Sequence, residues 1–222
     1  MSKKINRTRV VLRTCQQVSL AVLGSALTSL IGLNNISSVQ AELFNGPVDR
    51  LPPIERDALR KGQVVVKGDL GQYEAKVLVQ ASPQAVWSVL TDYANLSKFI
   101  PNLASSKVLE NKGNRKVVEQ VDSRQVFLIN VRSRTKLAIK ETFQKQIDFQ
   151  MVDGDLESLQ GYWKMELVAT YPGAKPNQVL ITHNVSAQPK SSVPQSTFYD
   201  IFKSSLSNTL AAVSSEIKRR GT

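Results

Sequence analysis

The sequence predicts an α+β fold in which a curved antiparallel β-sheet wraps around one long C-terminal helix. Two patterns predict this fold: about 85 residues of strand-like alternation broken by short turns after Asn102, and a single amphipathic segment from Pro194 to Arg220. The long helix must bury its apolar stripe, and the concave face of the sheet is the partner available to it. A strongly curved sheet leaves a space beside such a helix, and this space is the central structural prediction.

Residues 1–41 have the pattern of a secretory signal peptide. Five basic residues and no acid precede an apolar run from Val18 to Leu33, and a small-x-small sequence ends at Ala41. We therefore predict cleavage near Ala41 and export to a periplasm or an internal lumen. The alternative is an uncleaved N-terminal membrane anchor, because the stretch from Thr14 to Leu33 carries no charge.

Export changes the meaning of the net charge. The whole chain carries +11, but the part after residue 41 holds 24 basic and 18 acidic residues, a net charge of +6. Much of the basicity therefore belongs to the targeting segment, and no nucleic-acid partner is expected. The one cysteine, Cys15, lies in the same segment, so no disulfide is expected in the rest of the chain.

The remaining chain is predicted to be one ligand-binding domain, residues 63–222, preceded by a lead-in at 42–62. Pro53 suits the first position of two helical turns in the lead-in. The domain begins with two strands separated by a turn at 68–71, because apolar and polar residues alternate from Tyr73 to Val79.

Two short helices are predicted after these strands. Ser82 can cap the first of them, and Pro83 suits its first position. The helical segment must end before Pro101, because proline clashes with the preceding turn. Phe99 and Ile100 are apolar where a polar loop is expected. We predict that they flank the entrance to a pocket, although they could equally plug the core beneath a loop.

Six further strands are predicted before the C-terminal helix. Turn-forming residues separate them, which is typical of an antiparallel meander. Their expected bounds are 105–110, 115–121, 126–140, 146–152, 159–170 and 178–190.

Several local motifs occur in the same order as these elements. They are Ser82–Trp87, Leu90–Tyr93, Asn95–Leu96, Phe99–Asn102, Val152–Leu156 and Gly161–Trp163. In this order they resemble the START-like helix-grip superfamily, the polyketide cyclase/dehydrase and lipid transport group, over about residues 63–220. The similarity is greatest to the branch named for coenzyme-Q binding. The resemblance implies the helix-grip fold and a hydrophobic cavity between the sheet and the helix.

Strand alternation and the helical stripe place a set of apolar side chains on the faces that enclose the predicted cavity. A fully packed core with no space is the alternative. The candidate ligand-binding residues are Phe99, Ile100, Phe127, Ile129, Val131, Leu137, Trp163, Met165, Ile181, His183, Phe198, Phe202 and Leu206.

His183, the sole histidine, also falls on the inward face. It could bond a carbonyl or hydroxyl group of a ligand, or act as an acid or a base. The sequence contains no nucleophile elbow, no phosphate-binding glycine loop and no dinucleotide fingerprint. One histidine and no cysteine after residue 41 give no zinc motif, so we expect neither a metal nor a cofactor.

The main hypothesis is an exported binding or carrier protein for a hydrophobic small molecule, such as a lipid, an isoprenoid or a quinone-like compound. The rival hypothesis is a cyclase- or dehydratase-type enzyme on an apolar substrate, with His183 as the general base. A third hypothesis is an interaction module with a filled cavity. Its surface would be the outward-facing Arg132, Arg134, Lys136 and Lys140, which could attract an anionic membrane or simply be solvated.

Overall fold

The computed structural model of the protein describes residues 45–126 and 129–221, with the backbone alone at Val126 and Ile129. The predicted signal peptide lies outside the described residues, as do the first residues of the lead-in. The same holds for Phe127 and for the side chain of Ile129, two of the candidate ligand-binding residues. The described residues form one compact unit.

The described residues form one eight-stranded sheet, three α-helices and one 3-10 helix. The helices are α1 (Pro53–Arg60), α2 (Pro83–Leu90), the 3-10 helix (Tyr93–Lys98) and α3 (Gln195–Gly221). The strands are β1 (Val65–Asp69), β2 (Gln72–Val79), β3 (Leu103–Lys112), β4 (Arg115–Val126), β5 (Ile129–Thr142), β6 (Gln146–Gly154), β7 (Ser158–Val168) and β8 (Gln178–Gln188). This architecture confirms the predicted fold class.

The sheet is antiparallel throughout, with the strand order β1-β2-β8-β7-β6-β5-β4-β3. Strands β3 to β8 form a meander, and β8 returns to pair with β2. Among the strands that the structure describes, β1 and β3 form the two edges of the sheet. No helix among the described residues has the length and the hydropathy needed to span a membrane.

Local signals explain where the short helices begin. The Ser82 hydroxyl accepts a hydrogen bond from the backbone N–H of Ala85 at 3.1 Å, which caps α2 as predicted. Proline occupies the first position of both α1 and α2, where its missing N–H costs nothing. The 3-10 helix ends at Lys98, three residues before Pro101.

The boundary between β4 and β5 differs from the predicted one. We expected one strand to end at Val121 and the next to begin at Val126, but β4 continues to Val126 and β5 begins at Ile129. The polar run from Asp122 to Gln125 interrupts the apolar alternation and therefore resembles a loop in the sequence. In the structure these residues pair with β5 throughout, with Asp122 opposite Ser133.

The concave face of the sheet carries the larger of two apolar clusters, which we call the inner cluster. Helix α3 packs against β1, β2 and α2 on this side. Buried members of the inner cluster include Ala75, Val77, Val86, Val89, Ile181, Leu206, Leu210 and Ile217.

A second cluster, the outer cluster, lies on the opposite face of the sheet. Its buried members are Val48, Leu59, Leu78, Val168 and Leu180. Helix α1 therefore covers the convex face, and Glu55 on the same helix is buried in an ion pair with Lys67 of β1. The lead-in is thus part of the folded unit.

Candidate functional site

The inner cluster is not solid. A cavity of about 210 Å³ lies between the concave face of the sheet, helix α3 and the segment from Leu90 to Leu103. Most of its wall is apolar, and the sheet contributes Leu137, Ile139, Ile147, Phe149, Leu159 and Trp163. Protein interiors are otherwise close-packed, so a hollow of this size in an apolar core identifies the candidate binding site.

The side chains of α3 explain why the cavity exists. The helix face toward the cavity carries Phe202, Ser205, Thr209 and Val213. Ser205 and Thr209 are small and occupy positions where leucine would fill the space. The adjacent stripe of the same helix is packed, with Leu210 and Ile217 fully buried.

His183 lies in the cavity wall, and its side chain is only 7% exposed. Its ring stacks on Trp163 from the neighbouring strand, with ring centroids 3.8 Å apart and an interplanar angle of 10°. Nδ1 lies 3.3 Å from the carbonyl oxygen of Tyr162. Burial lowers the pKa of His183 to about 4, so the ring is neutral at physiological pH.

Strand β4 supplies a polar side to the cavity. Gln120, Asp122 and Arg124 all line it. The Arg124 guanidinium donates to Asp122 Oδ1 from Nε at 2.7 Å and to Ser205 Oγ from Nη1 at 2.6 Å, which ties β4 to α3. Burial raises the pKa of the Asp122 carboxyl, although the bond to Arg124 acts in the opposite direction.

The polar side also marks where the cavity meets the surface. Arg124 and Ser205 line both the cavity and a groove on the outside of the protein. Pro101, on the other side of the cavity wall, is exposed to solvent. We call the part of the wall that carries Pro101, Arg124 and Ser205 the mouth of the cavity.

Tyr93 closes another part of the wall. Its hydroxyl donates to Glu141 Oε1 at 2.8 Å, and Glu141 Oε2 lies 2.8 Å from Lys116 Nζ. Burial and the bond to Glu141 raise the pKa of Tyr93, so its hydroxyl stays protonated. The hydroxyl is therefore already engaged in a hydrogen bond.

The two apolar residues between the 3-10 helix and β3, Phe99 and Ile100, have different surroundings. Ile100 lines the cavity. Phe99 lies beside the C-terminal end of α3, with the Arg220 guanidinium 5.8 Å from its ring centroid. Arg220 also pairs with Asp92 at 2.8 Å, so this contact joins the end of α3 to the start of the 3-10 helix.

The structure places five of the predicted site residues in the cavity wall: Ile100, Leu137, Trp163, His183 and Phe202. Others lie elsewhere. Met165, Ile181 and Leu206 belong to the packed part of the inner cluster, Phe198 stacks on Phe202, and Val131 is 43% exposed. Gln120, Asp122 and Arg124 were not anticipated: Gln120 is a polar residue within the predicted strand 115–121, and the segment that holds Asp122 and Arg124 resembled a loop. Every second residue of β4 after the buried Val118 points inward, and extending this alternation would have identified all three residues.

The outward basic residues are partly neutralised. Arg134 pairs with Asp153 at 2.8 Å and with Glu119 at 3.3 Å, and Lys136 lies 3.8 Å from Asp153. The net positive charge of this face is therefore smaller than the sequence suggests. Within residues 45–126 and 129–221, no three histidine, cysteine, aspartate or glutamate side chains converge as a metal site.

Sequence comparison identifies the family. Residues 79–214 match the family described as polyketide cyclase / dehydrase and lipid transport, and the chain belongs to this family. The matched segment runs from the end of β2 into α3 and leaves out α1 and β1. No curated protein sequence matches the chain.

Solved structures share the fold. A STAR-related lipid transfer protein from Xanthomonas axonopodis has a TM-score of 0.55 at 17% identity, covering 70% of this chain and 92% of that chain. The Zhui aromatase/cyclase from Streptomyces sp. R1128 has a TM-score of 0.51 at 14% identity, covering 72% and 94%. A START superfamily protein from Mycobacterium smegmatis has a TM-score of 0.53 at 14% identity, covering 72% and 99%.

Proposed function

We propose that the protein binds a hydrophobic small molecule in the cavity between the sheet and α3, and that it acts as a carrier or binding protein. The ligand class is lipid-like, isoprenoid-like or quinone-like. One observation supports this most strongly: the apolar core contains a hollow of about 210 Å³, and its wall residues Arg124 and Ser205 also line a groove on the surface. The fold shared with a STAR-related lipid transfer protein agrees with it.

The size of the cavity bounds what the ligand can be. At about 30 Å³ per water-sized group, 210 Å³ holds roughly seven such groups. Seven buried methylenes at about 0.8 kcal/mol each give about 6 kcal/mol, which corresponds to weak affinity before ordering costs. A long-chain ligand would therefore extend through the mouth or widen the cavity, and a ring or a short chain would fit inside it.

The test is native mass spectrometry of the purified protein, followed by organic extraction of any bound compound. We expect a co-purifying apolar molecule, or binding from a panel of lipids and isoprenoids. Absence of both would overturn the carrier proposal.

A matched pair of variants locates the binding. Thr209→Phe places a phenyl ring in the cavity, whereas Ala211→Phe places the same ring on the exposed side of α3. We expect the first variant to lose at least tenfold in affinity and the second to bind like the unmodified protein. Equal binding by both variants would exclude the cavity as the site.

The second candidate is an enzyme of the cyclase or dehydratase type, with His183 as the general base. Two wall residues favour it, because His183 and Asp122 both face the cavity and both have shifted pKa values. The fold shared with an aromatase/cyclase agrees with it. Replacing His183 by alanine separates the two functions: an enzyme loses turnover and still binds substrate, whereas a carrier has no turnover to lose.

We also propose that the protein is exported and cleaved near Ala41, on the strength of the basic and apolar segments in residues 1–41. The intact mass of the protein from its native host tests this. A mass that begins near Glu42 supports export, and a full-length chain in the membrane fraction supports the uncleaved anchor.

A further inference from the structure

We infer that the ligand presents a hydroxyl hydrogen to Nε2 of His183, so that the cavity prefers a phenol or an alcohol to a carbonyl compound of the same shape. This inference rests on the proposed binding function and specifies its ligand class. It follows from the tautomer of His183, from the absence of a partner for Nε2 and from the surroundings of the ring.

The contact at Nδ1 determines the tautomer. The Tyr162 carbonyl oxygen, 3.3 Å from Nδ1, can only accept a hydrogen bond, so Nδ1 carries the hydrogen. A neutral imidazole has one N–H, and Nε2 is then a bare acceptor. The low pKa of about 4 supports the neutral form, because burial disfavours the charged ring.

Nε2 has no hydrogen-bond partner among the residues that the structure describes. His183 lines the cavity and is only 7% exposed, yet Nε2 is not one of the buried polar atoms without a partner, so it stays reachable from the cavity. A ligand that covers Nε2 without donating to it takes this acceptor out of contact with water and leaves it unpaired, which costs free energy. A ligand that donates a hydrogen bond to Nε2 avoids that cost.

The neighbours of the ring are aromatic, and neither of them donates a hydrogen bond to Nε2. Trp163 stacks on His183 at 3.8 Å, and the Phe149 ring centroid lies 5.6 Å away. Arg124, the strong donor of the cavity wall, is occupied by Asp122 and Ser205. An aromatic ring against these flat surfaces, with a hydroxyl toward Nε2, satisfies both the apolar wall and the free lone pair.

The discrimination has a physical reason. A carbonyl oxygen placed against Nε2 opposes two lone pairs and leaves both acceptors unsatisfied. A phenol at the same point makes one hydrogen bond. The difference corresponds to about tenfold in affinity, given the cost of an unsatisfied buried polar group.

The experiment uses the full chain without a histidine tag and three probes of similar shape. They are 4-ethylphenol, which donates, 4-ethylbenzaldehyde, which only accepts, and 4-ethyltoluene, which does neither. Calorimetry measures each affinity. We expect the phenol to bind about tenfold more tightly than the aldehyde, even though water also solvates the hydroxyl group of the free phenol.

Nuclear magnetic resonance reads the same event directly, because His183 is the sole histidine of the chain. Its long-range ¹H–¹⁵N spectrum should show hydrogen on Nδ1 in the free protein. Addition of 4-ethylphenol should shift the Nε2 resonance toward that of a hydrogen-bonded nitrogen, and 4-ethyltoluene should leave it in place. Hydrogen on Nε2 in the free protein would overturn the inference.

Two variants complete the design. His183→Phe retains a flat ring against Trp163 and should abolish the preference for the phenol, whereas Ala211→Phe adds a ring on the exposed side of α3 and should leave the preference intact. Binding of all three probes with equal affinity overturns the inference and leaves the binding function standing. Binding of none, in the unmodified protein, overturns both. The comparison of probes on the unmodified protein decides the matter even if His183→Phe does not fold.

Discussion

The two faces of the sheet are covered by helices in different ways. On the convex face, α1 and the residues before it form the outer cluster, where Val48, Leu59 and Leu180 are almost fully buried. On the concave face, α3 packs against the inner cluster, which has more members, and leaves a cavity of about 210 Å³. The same strands contribute to both faces, because alternate residues of β7 and β8 point to opposite sides. The hollow therefore reflects the small side chains of the covering helix and not a shortage of apolar residues in the sheet.

Leu59→Ala gives the strongest test of the difference in packing between the two faces of the sheet. Leu59 is 0% exposed in the outer cluster, so its removal should leave a new void and lower the free energy of unfolding by about 3 kcal/mol or more. Chemical denaturation measures this change. Ile54→Ala on the same helix is the control, because Ile54 is 85% exposed and its loss should cost under about 0.5 kcal/mol. Ligand affinity should not change in either variant, and a fall with Leu59→Ala would show that the two faces are coupled.

The next largest effect is expected from pH at His183. The unfolded chain takes up a proton near pH 6.5, whereas the folded ring resists protonation until about pH 4, because burial disfavours its charge. The protein should therefore lose stability as pH falls through this window, by about 1.6 kcal/mol between pH 6.5 and 5 from this residue alone. His183→Phe lacks the titrating group and should show a correspondingly shallower dependence. If the free energy of unfolding changed with pH by the same amount in both proteins, folding would not lower the pKa of His183.

Leu137→Ala makes the complementary test on the hollow side. Leu137 is buried but already faces empty space, so it has fewer contacts to lose than Leu59. We expect a loss of about 2 kcal/mol in the free energy of unfolding, smaller than that of Leu59→Ala, together with binding of bulkier ligands. A loss larger than that of Leu59→Ala would mean that the cavity wall is packed as tightly as the outer cluster.

The smallest effect is expected where α3 meets the 3-10 helix. Asp92→Asn removes the ion pair with Arg220, which is partly exposed, and should cost about 0.5 kcal/mol, less at high salt. Asp57→Asn, which breaks the more exposed pair between Asp57 of α1 and Lys61, is the control and should cost less still. A loss above about 2 kcal/mol with Asp92→Asn would show that the contact holds the inner face closed.

Most of the fold could be predicted from the sequence, because local signals carry it. The cap at Ser82, the prolines at 53 and 83 and the alternation along β2 and β8 each correspond to an observed element. The covering role of α1 could not be predicted, since two helical turns say nothing about which face they contact. The end of β4 was missed because Asp122 and Arg124 are polar residues whose partners are each other.

The site was harder to predict, because alternation gives the face of a residue and not its distance from a hollow. Ile181 and His183 share a face of β8, yet Ile181 is packed in the core and His183 lines the cavity. Which of them meets empty space depends on the sizes of Ser205 and Thr209 across the gap. That relationship joins residues that are far apart in the chain, so it exists only in three dimensions.

The edge strand β3 carries features that oppose aggregation of the protein with its own copies. A ten-residue strand at the edge of the described sheet could otherwise template the addition of a strand from another molecule. Here Lys107, Glu110 and Lys112 are exposed along that edge, and its pairing with β4 is irregular near Val108. An incoming strand would meet charges of both signs on a distorted backbone, which protects an open sheet from growing into a fibre.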